Sequence, residues 1–201
     1  MSIFHAHKKL GFTLIEMMVA LSLFTVVVTI AVGAFLSMIG ASKGVQGEQS
    51  VMTTLTFVLD SMTREIRTGT NYYCGTRSFL AGNTLSTSSV NNCSGGNEGI
   101  SFMESGSSVT RNATSRRIAY YFDTSATPDT LMRKVGSGAA QSVVSDGITV
   151  TKAEFFVTGT TRLNAGTDIN QPSVTIVLEA IDETGATTTL QTTVTQRELD
   201  I

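Results

Sequence analysis

An uninterrupted apolar run near the amino terminus constrains the fold of this chain more than any other feature. From Met17 to Ser42 no residue is charged, and most positions are Val, Leu, Ile, Ala, Met or Phe. The hydrocarbon core of a bilayer needs about 20 residues of helix, so the run is long enough to span a membrane. Lys8 and Lys9 precede the run and Lys43 follows it. This order predicts a single span with its amino terminus in the cytoplasm.

A single carboxylate distinguishes between the alternatives for this segment. A secretory signal peptide has a shorter apolar core and a small-residue cleavage site, which only Gly40-Ala41-Ser42 resembles here. An ordinary membrane anchor has no use for Glu16, which lies at the cytoplasmic edge of the apolar run. A carboxylate inside a bilayer costs on the order of 2–3 kcal/mol, so it requires a positively charged partner. Cleavage after Gly11 would create one, an α-amine on Phe12, four residues before Glu16 and on the same helix face.

The residues around this position resemble the prepilin cleavage and methylation motif of type IV pilins and type II secretion pseudopilins. The stretch Lys8-Lys9-Leu10-Gly11-Phe12-Thr13-Leu14-Ile15-Glu16 has a basic leader, glycine at the cut, phenylalanine first and glutamate fifth. The resemblance implies that prepilin peptidase removes residues 1–11 and methylates the new amino terminus at Phe12. It also implies that Phe12 and Glu16 carry assembly with other pilin or pseudopilin subunits, and that Lys8 and Lys9 supply the charge of the leader.

Beyond the apolar run, the spacing of hydrophobic residues predicts that the helix continues to about residue 69. The apolar positions fall 4, 3, 1, 3 and 4 residues apart and form an amphipathic stripe: Val51, Leu55, Val58, Leu59, Met62 and Ile66. Gly69 is the predicted C-cap. The amino-terminal third therefore divides into a leader at 1–11, a transmembrane and assembly helix at 12–42, and an amphipathic continuation at 43–69.

A polar segment and a series of strands complete the chain. Residues 70–115 are rich in Ser, Thr, Asn and Gly, which predicts a variable loop region with one short strand at 99–103. Within 116–201, alternation predicts antiparallel strands at 118–122, 131–135, 148–158, 174–180 and 190–194, with turns at 125–129 and 182–185. One amphipathic helix beside a run of hairpins predicts an α+β fold. Together with the motif, this is a pilin-like fold: a long N-terminal helix, transmembrane in its first half, packed on an antiparallel β-sheet head.

The two cysteines of the chain are Cys74 and Cys93. An even number in an extracytoplasmic domain predicts one disulfide, the alternative being two unpaired thiols in a loop. The closed loop would be short, so the bridge would stabilise the fold by about 3 kcal/mol in the loop-entropy treatment.

The residue inventory argues against catalysis. His5 and His7 are the only histidines, and both lie in the predicted leader. The mature chain therefore lacks a serine–histidine or cysteine–histidine nucleophile pair and any histidine-ligated metal site, and no cofactor motif is present. The formal net charge of −2 argues against nucleic acid as a partner, and Arg116-Arg117 is predicted to lie on a solvated sheet edge. The sequence predicts a structural protein without cofactor or metal.

The downstream pattern resembles the J-type minor pseudopilin of type II secretion and the W-type minor pilin. The matching parts are 118–122, Leu131-Met132-Arg133 and a last strand ending Val194-Thr195-Gln196-Arg197. The resemblance implies a subunit at or near a filament tip, held in the bacterial inner membrane with its head in the periplasm, and with secreted cargo as a further partner. Two alternatives stay open: a minor pilin for DNA uptake or adhesion and, from another class, a single-pass membrane-anchored sensor or enzyme.

Overall fold

The computed structural model describes residues 11–82, 85–86, 88–104, 117–160 and 171–197. The predicted leader charges Lys8 and Lys9, and Arg116, lie outside the described residues. The chain divides into two compact units, Met1–Lys43 and Gly44–Ile201. The elements in chain order are α1 (Leu14–Thr68), β1 (Thr70–Gly75), α2 (Arg77–Gly82), β2 (Cys93–Asn97), β3 (Gly99–Met103), β4 (Arg117–Asp123), β5 (Thr130–Val135), β6 (Gln141–Ser142), β7 (Ile148–Thr158), β8 (Ser173–Asp182) and β9 (Thr187–Thr195).

The second half of α1 carries the hydrophobic stripe that the sequence predicts. Its buried residues are Gly47, Val51, Leu55, Val58, Leu59, Met62 and Ile66, so the predicted stripe is confirmed and extended by one glycine. These side chains enter one core with Phe102, Phe155 and Ile176 from the strands. The stripe therefore stabilises unit Gly44–Ile201 by removing apolar area from water at about 25 cal/mol per Å².

The end of α1 differs in detail from the prediction. The helix does end at Thr68, and the Gly69 N–H donates to the Ile66 carbonyl at 2.9 Å. Gly69 does not, however, adopt the positive φ of a left-handed cap, which occurs instead at Asn71 with φ 54°. A Cβ at position 69 would lie 2.5 Å from the ring of Phe102. The glycine is therefore needed for the close approach of an aromatic ring rather than for its own backbone conformation.

Nine strands form two antiparallel sheets in the described part of the chain, where the sequence predicts one. The orders are β1-β3-β4-β5-β6 and β2-β7-β8-β9. The five strands predicted within 116–201 and the short strand at 99–103 are confirmed as β4, β5, β7, β8, β9 and β3. The prediction of loop for the rest of 70–104 is wrong, because β1, α2 and β2 lie there. The Cys74–Cys93 disulfide, whose Cα atoms are 5.8 Å apart, joins β1 to β2 and hence the two sheets.

Strands β7 and β8 bury alternate side chains, as predicted. Ala153, Phe155 and Val157 are buried on β7, and they pair with Leu178, Ile176 and Val174 of β8. A register shift between Val150 and Lys152 adds one residue, so Val150 also faces the core. The β8–β9 turn follows the predicted position, with φ +87° at Gly185.

Strand β4 is buried on both faces, although its sequence alternates as if one face met solvent. Tyr120 belongs to the main core, whereas Ala119 and Tyr121 form a second cluster with Leu80 and Leu85. Leu80 comes from α2, which the sequence did not predict. A helix of six residues thus covers the face of the sheet that the pattern assigned to water.

Candidate functional site

The start of α1 is fixed by a side-chain cap. Thr13 Oγ1 accepts a hydrogen bond from the Glu16 N–H at 3.3 Å, and the Met17 N–H donates to the Thr13 carbonyl at 3.3 Å. Thr13 is therefore the N-cap, and Thr13-x-x-Glu16 has the spacing of a capping box. The sequence analysis missed this cap, although the spacing was readable. Glu16 lies in the first turn of α1, where the helix macrodipole favours a negative charge.

Gly11 and Phe12 lie immediately before the cap, outside any helix or strand. In the uncut chain α1 begins two residues after Phe12, so Phe12 does not share a helix face with Glu16 there. For the cleaved chain, the shared face stays a prediction. Phe12 is 78% exposed, and a Cβ added at Gly11 would have no atom within 4 Å. Nothing in the described structure requires glycine at this position. The peptide bond between the two residues is thus exposed on a segment without regular structure, which suits a peptidase substrate.

The first part of α1 presents an apolar surface with nothing packed on it. Within unit Met1–Lys43 every described residue is exposed. Leu14 is 79% exposed, Phe24 64% and Ile30 67%. Contiguous apolar surface of this extent marks contact with a membrane or with other proteins. The helix is long and apolar enough to cross a membrane.

Hydroxyl groups within this surface satisfy their hydrogen bonds on the helix itself. Ser22 Oγ donates to the Val19 carbonyl at 2.8 Å, and Thr25 Oγ1 and Thr29 Oγ1 donate to carbonyls four residues earlier at 2.6 and 2.8 Å. Such bonding lets small polar residues reside in an apolar medium. Glu16 is different, because its carboxylate has no ion-pair partner within the described residues. From Leu14 to Ser42 it is also the only charged residue.

The carboxy-terminal unit holds a buried cation that the sequence analysis placed wrongly. Arg117, predicted on a solvated edge, is 0% exposed. Its Nε donates to Ser101 Oγ at 2.8 Å, and its Nη2 donates to the carbonyls of Asn71 at 2.8 Å and Ser89 at 3.0 Å. Nη1 donates to the Ser86 carbonyl at 2.9 Å. Desolvation lowers the pKa of Arg117 to about 10, which leaves the group charged at neutral pH.

Two further polar clusters tie elements together within Gly44–Ile201. Arg133 contacts both oxygens of Glu65 at 2.9 and 3.1 Å, and the Tyr120 hydroxyl donates to Glu65 Oε2 at 2.8 Å. Burial, followed by this hydrogen bond, raises the pKa of Tyr120. Arg77 Nε lies 2.7 Å from Asp123 Oδ1, which also accepts two bonds from Ser125. Burial alone would raise the pKa of Asp123, but the bonds from Ser125 and the charge of Arg77 outweigh it and lower the pKa.

None of these clusters resembles a catalytic or metal centre. Across the part of the chain that the structure describes, no group of three or more His, Cys, Asp or Glu side chains is placed to hold a metal ion. The features with an evident outward role are instead the capped helix start and the exposed apolar surface that follows it.

Comparison with known proteins points to the same segment of the chain, the start of α1 and the apolar surface after it. Residues 6–39 match the family described as the prokaryotic N-terminal methylation motif. No curated protein and no solved structure matches the chain. The match includes Gly11, Phe12 and Glu16, so the chain carries the N-methylation motif of prokaryotic prepilins. It ends before unit Gly44–Ile201, so the resemblance of that unit to J-type or W-type subunits stays a prediction.

Proposed function

We propose that the chain is a structural subunit of a type IV pilus-like or type II secretion filament, a minor pilin or pseudopilin that prepilin peptidase cleaves between Gly11 and Phe12. The observation that carries the proposal is the methylation motif at residues 6–39, with Glu16 in the first turn of an exposed apolar helix. The motif indicates processing by prepilin peptidase and assembly with other pilin subunits.

Cleavage would supply the positive charge that Glu16 lacks. It releases an α-amine on Phe12, which the peptidase then methylates. Thr13 and Glu16 both lie after the cut, so the N-cap survives processing and holds Glu16 in place. The Phe12 amine of one subunit and the Glu16 carboxylate of its neighbour then neutralise each other in the membrane. This pairing removes a penalty on the order of 2–3 kcal/mol and sets the axial position of each new subunit.

The apolar surface would contact lipid before assembly and the helices of neighbouring subunits after it. Lipid tails and neighbouring helices are equally apolar, so transfer between them changes hydrophobic free energy little. Helix packing and the pairing of Glu16 therefore decide whether a subunit stays in the bilayer or joins the filament. This division of roles explains why a strongly apolar helix carries one carboxylate at its start.

The remaining parts of the proposal concern location. Before assembly, the subunit spans the inner membrane once, with its amino terminus in the cytoplasm and residues 44–201 in the periplasm. The Cys74–Cys93 disulfide supports this orientation, since disulfides persist in oxidising compartments. A position at or near the filament tip, and contact with secreted cargo, rest on the resemblance of the strands to J-type and W-type subunits.

Processing is tested by intact mass and N-terminal sequencing of the membrane-extracted chain, expressed with and without active prepilin peptidase. We expect the peptidase to yield a chain that starts at N-methyl-Phe12, and its absence to leave residues 1–11 attached. A leader that stays attached in both strains, or a cut near Ser42, would contradict the filament proposal. A cut near Ser42 would indicate a secreted β-rich domain.

Assembly is tested separately by removing one charge. We expect Glu16→Gln to be cleaved normally but to be reduced at least tenfold in sheared filaments, because the new amine then has no carboxylate partner. Glu48→Gln is the matched control, since Glu48 is an exposed residue of the same helix. If both variants enter filaments equally, Glu16 does not drive assembly.

A further inference from the structure

A groove runs between the outer edge of β9 and the second half of α1, entirely within unit Gly44–Ile201. Its main part has a volume of about 640 Å³ and is bounded by Arg64 and Arg67 of α1 and by Thr193 and Arg197 on the other side. A second part of about 270 Å³ continues the groove along β9 as far as Leu190. The groove therefore follows the strand for most of its length.

The side of β9 that faces this groove is an open sheet edge. β9 is the last strand in the order β2-β7-β8-β9, and its pairing with β8 is unbroken. The Gln196 N–H donates to Pro172, on the β8 side, at 3.0 Å. Because N–H groups alternate along a strand, those of Thr193 and Thr195 point away from β8. The Arg197 N–H, on that same outward side, donates to the Arg67 carbonyl of α1 at 2.8 Å.

The sequence and register of β9 carry none of the local features that normally protect an edge strand. The sequence of β9, Thr187–Thr195, contains no charged residue and no proline, and its register has no bulge. Edge strands of soluble proteins are usually blocked by lysine, proline or a bulge, because open N–H and C=O groups recruit other strands. The outward N–H groups of Thr193 and Thr195 have no backbone partner among the described residues. Within the part of the chain that the structure describes, this stretch of the edge is therefore unpaired.

The charge of the groove indicates what kind of segment would pair there. Arg64, Arg67 and Arg197 line it, and among its described lining residues Asp60 is the one acid. The Arg64–Asp60 pair is long, at 3.6 Å, and its side chains are 82% and 72% exposed, so it neutralises little. The guanidinium groups of Arg67 and Arg197 have no ion pair in the described ranges. Without the two leader lysines the chain has twelve basic and sixteen acidic residues. A basic groove on an acidic chain favours an acidic partner.

We propose that this groove binds an extended, acidic peptide segment of a partner protein, which adds to the sheet as a strand beside β9. Main-chain hydrogen bonds to Thr193 and Thr195 supply affinity, as in other cases of strand addition, and the three arginines select carboxylates. The stretch from Leu190 to Thr195, which ends before Arg197 bonds to α1, accommodates a segment of about six residues at about 3.4 Å per residue. A nucleic acid would satisfy the arginines but could not pair with the alternating N–H and C=O groups of the edge.

The proposal goes beyond the filament role and does not depend on it. Every residue that forms the groove lies within Gly44–Ile201, and neither cleavage after Gly11 nor assembly is needed for binding. A binding experiment on the unassembled chain therefore tests the groove alone, whatever processing and filament assays show.

The test measures fluorescence anisotropy with the full-length chain in a mild detergent. The probe is a fluorescein-labelled octapeptide of alternating Glu and Val. The comparison probes are an octapeptide of alternating Lys and Val, the Glu-Val peptide N-methylated at alternate amides, and a single-stranded DNA of equal charge. We expect the Glu-Val peptide to bind, and all three comparison probes to bind at least tenfold more weakly.

Two variants locate the binding to the groove. Arg67→Glu and Arg197→Glu should each weaken Glu-Val binding, and together at least tenfold, while Lys152→Glu on β7, a single charge reversal outside the groove, should not. Thr193→Pro removes one outward N–H and should also weaken binding; it leaves the backbone bonds of the β8 ladder but loses the hydroxyl contact with Thr175. Near-UV circular dichroism checks that each variant keeps the wild-type fold. N-methylated peptide that binds as well as its parent, DNA that binds as tightly through the same arginines, or no binding of Glu-Val peptide would each overturn the proposal.

Discussion

Replacing Arg117 by methionine tests whether its buried guanidinium holds the segment that contains Ser86 and Ser89 against strand β4. Methionine fills a similar space without any donor. The change deprives four acceptors of a partner: Ser101 Oγ and the carbonyls of Asn71, Ser86 and Ser89. Two of these bonds, to Ser101 and Asn71, are buried, whereas those to Ser86 and Ser89 are partly buried.

The expected loss of stability depends mainly on the two buried hydrogen bonds. A hydrogen bond to a charged group contributes about 1.5–3 kcal/mol, so the loss of the two buried bonds to Ser101 and Asn71 costs about 3–6 kcal/mol. The carbonyls of Ser86 and Ser89 lie in a partly exposed segment and regain water, so they add little. Because methionine carries no charge that must be desolvated on folding, the variant recovers part of this lost stability. We therefore expect the free energy of unfolding of Gly44–Ile201 to fall by about 2–4 kcal/mol, and Tm to fall on the order of 10 °C.

Tyrosine circular dichroism reports this unit selectively. The chain has no tryptophan and four tyrosines, all on β1 and β4: Tyr72, Tyr73, Tyr120 and Tyr121. Near-UV thermal melts of the full-length chain in detergent would compare wild type with Arg117→Met. Arg64→Met is the control, because the Arg64 side chain is 82% exposed and its loss should cost less than about 0.5 kcal/mol. If Arg117→Met melts with the wild type or above it, the desolvation penalty outweighs the hydrogen bonds and the reasoning is wrong.

Two further predictions concern stability. A Cβ at Gly47 would collide with Asp182 and Thr184 in the β8–β9 turn, so Gly47→Val should cost about 1–3 kcal/mol in the same melt. Gly44→Val, in open space on the same helix, should not, and equal costs would contradict the steric explanation. The pKa of Asp123 is lowered from 3.8, so its carboxylate contributes stability above that pH and loses it as pH falls through the folded-state pKa. Asp123→Asn should therefore flatten the acid-side decline in urea midpoint below about pH 4, and a decline as steep as the wild type's would exclude this role.

The candidate site could be located from the sequence because its signals are local. Gly11, Phe12 and Glu16 are adjacent along the chain, and the helix that follows needs only backbone bonds within itself. The missed part was Thr13. Thr13 adjoins the apolar run and resembles a part of the same helix, although it is the cap that places Glu16 in the first turn.

The elements with regular periodicity were also predictable. The stripe from Val51 to Ile66 and the alternation of β7 and β8 each specify one buried face over several turns or residue pairs. In these elements the local pattern and the tertiary environment agree, because one side meets the core and the other meets solvent. The turn at Gly185 was predicted for a similar reason, since its signal lies in four consecutive residues.

The sequence by itself determined the apolar amino-terminal helix, its charged start, the amphipathic stripe and the regular hairpins. Only the tertiary structure decided that Cys93–Asn97, with the sequence Cys-Ser-Gly-Gly-Asn, forms a strand, because its order comes from pairing with β7 and from the disulfide to Cys74. It likewise decided that Arg117 is buried, because α2 and the segment around Ser86 cover a face that the local pattern gives to water. The periodicity of hydrophobic residues indicates which face of a helix or strand packs against the main core. It does not indicate whether a second element, distant along the chain, covers the opposite face.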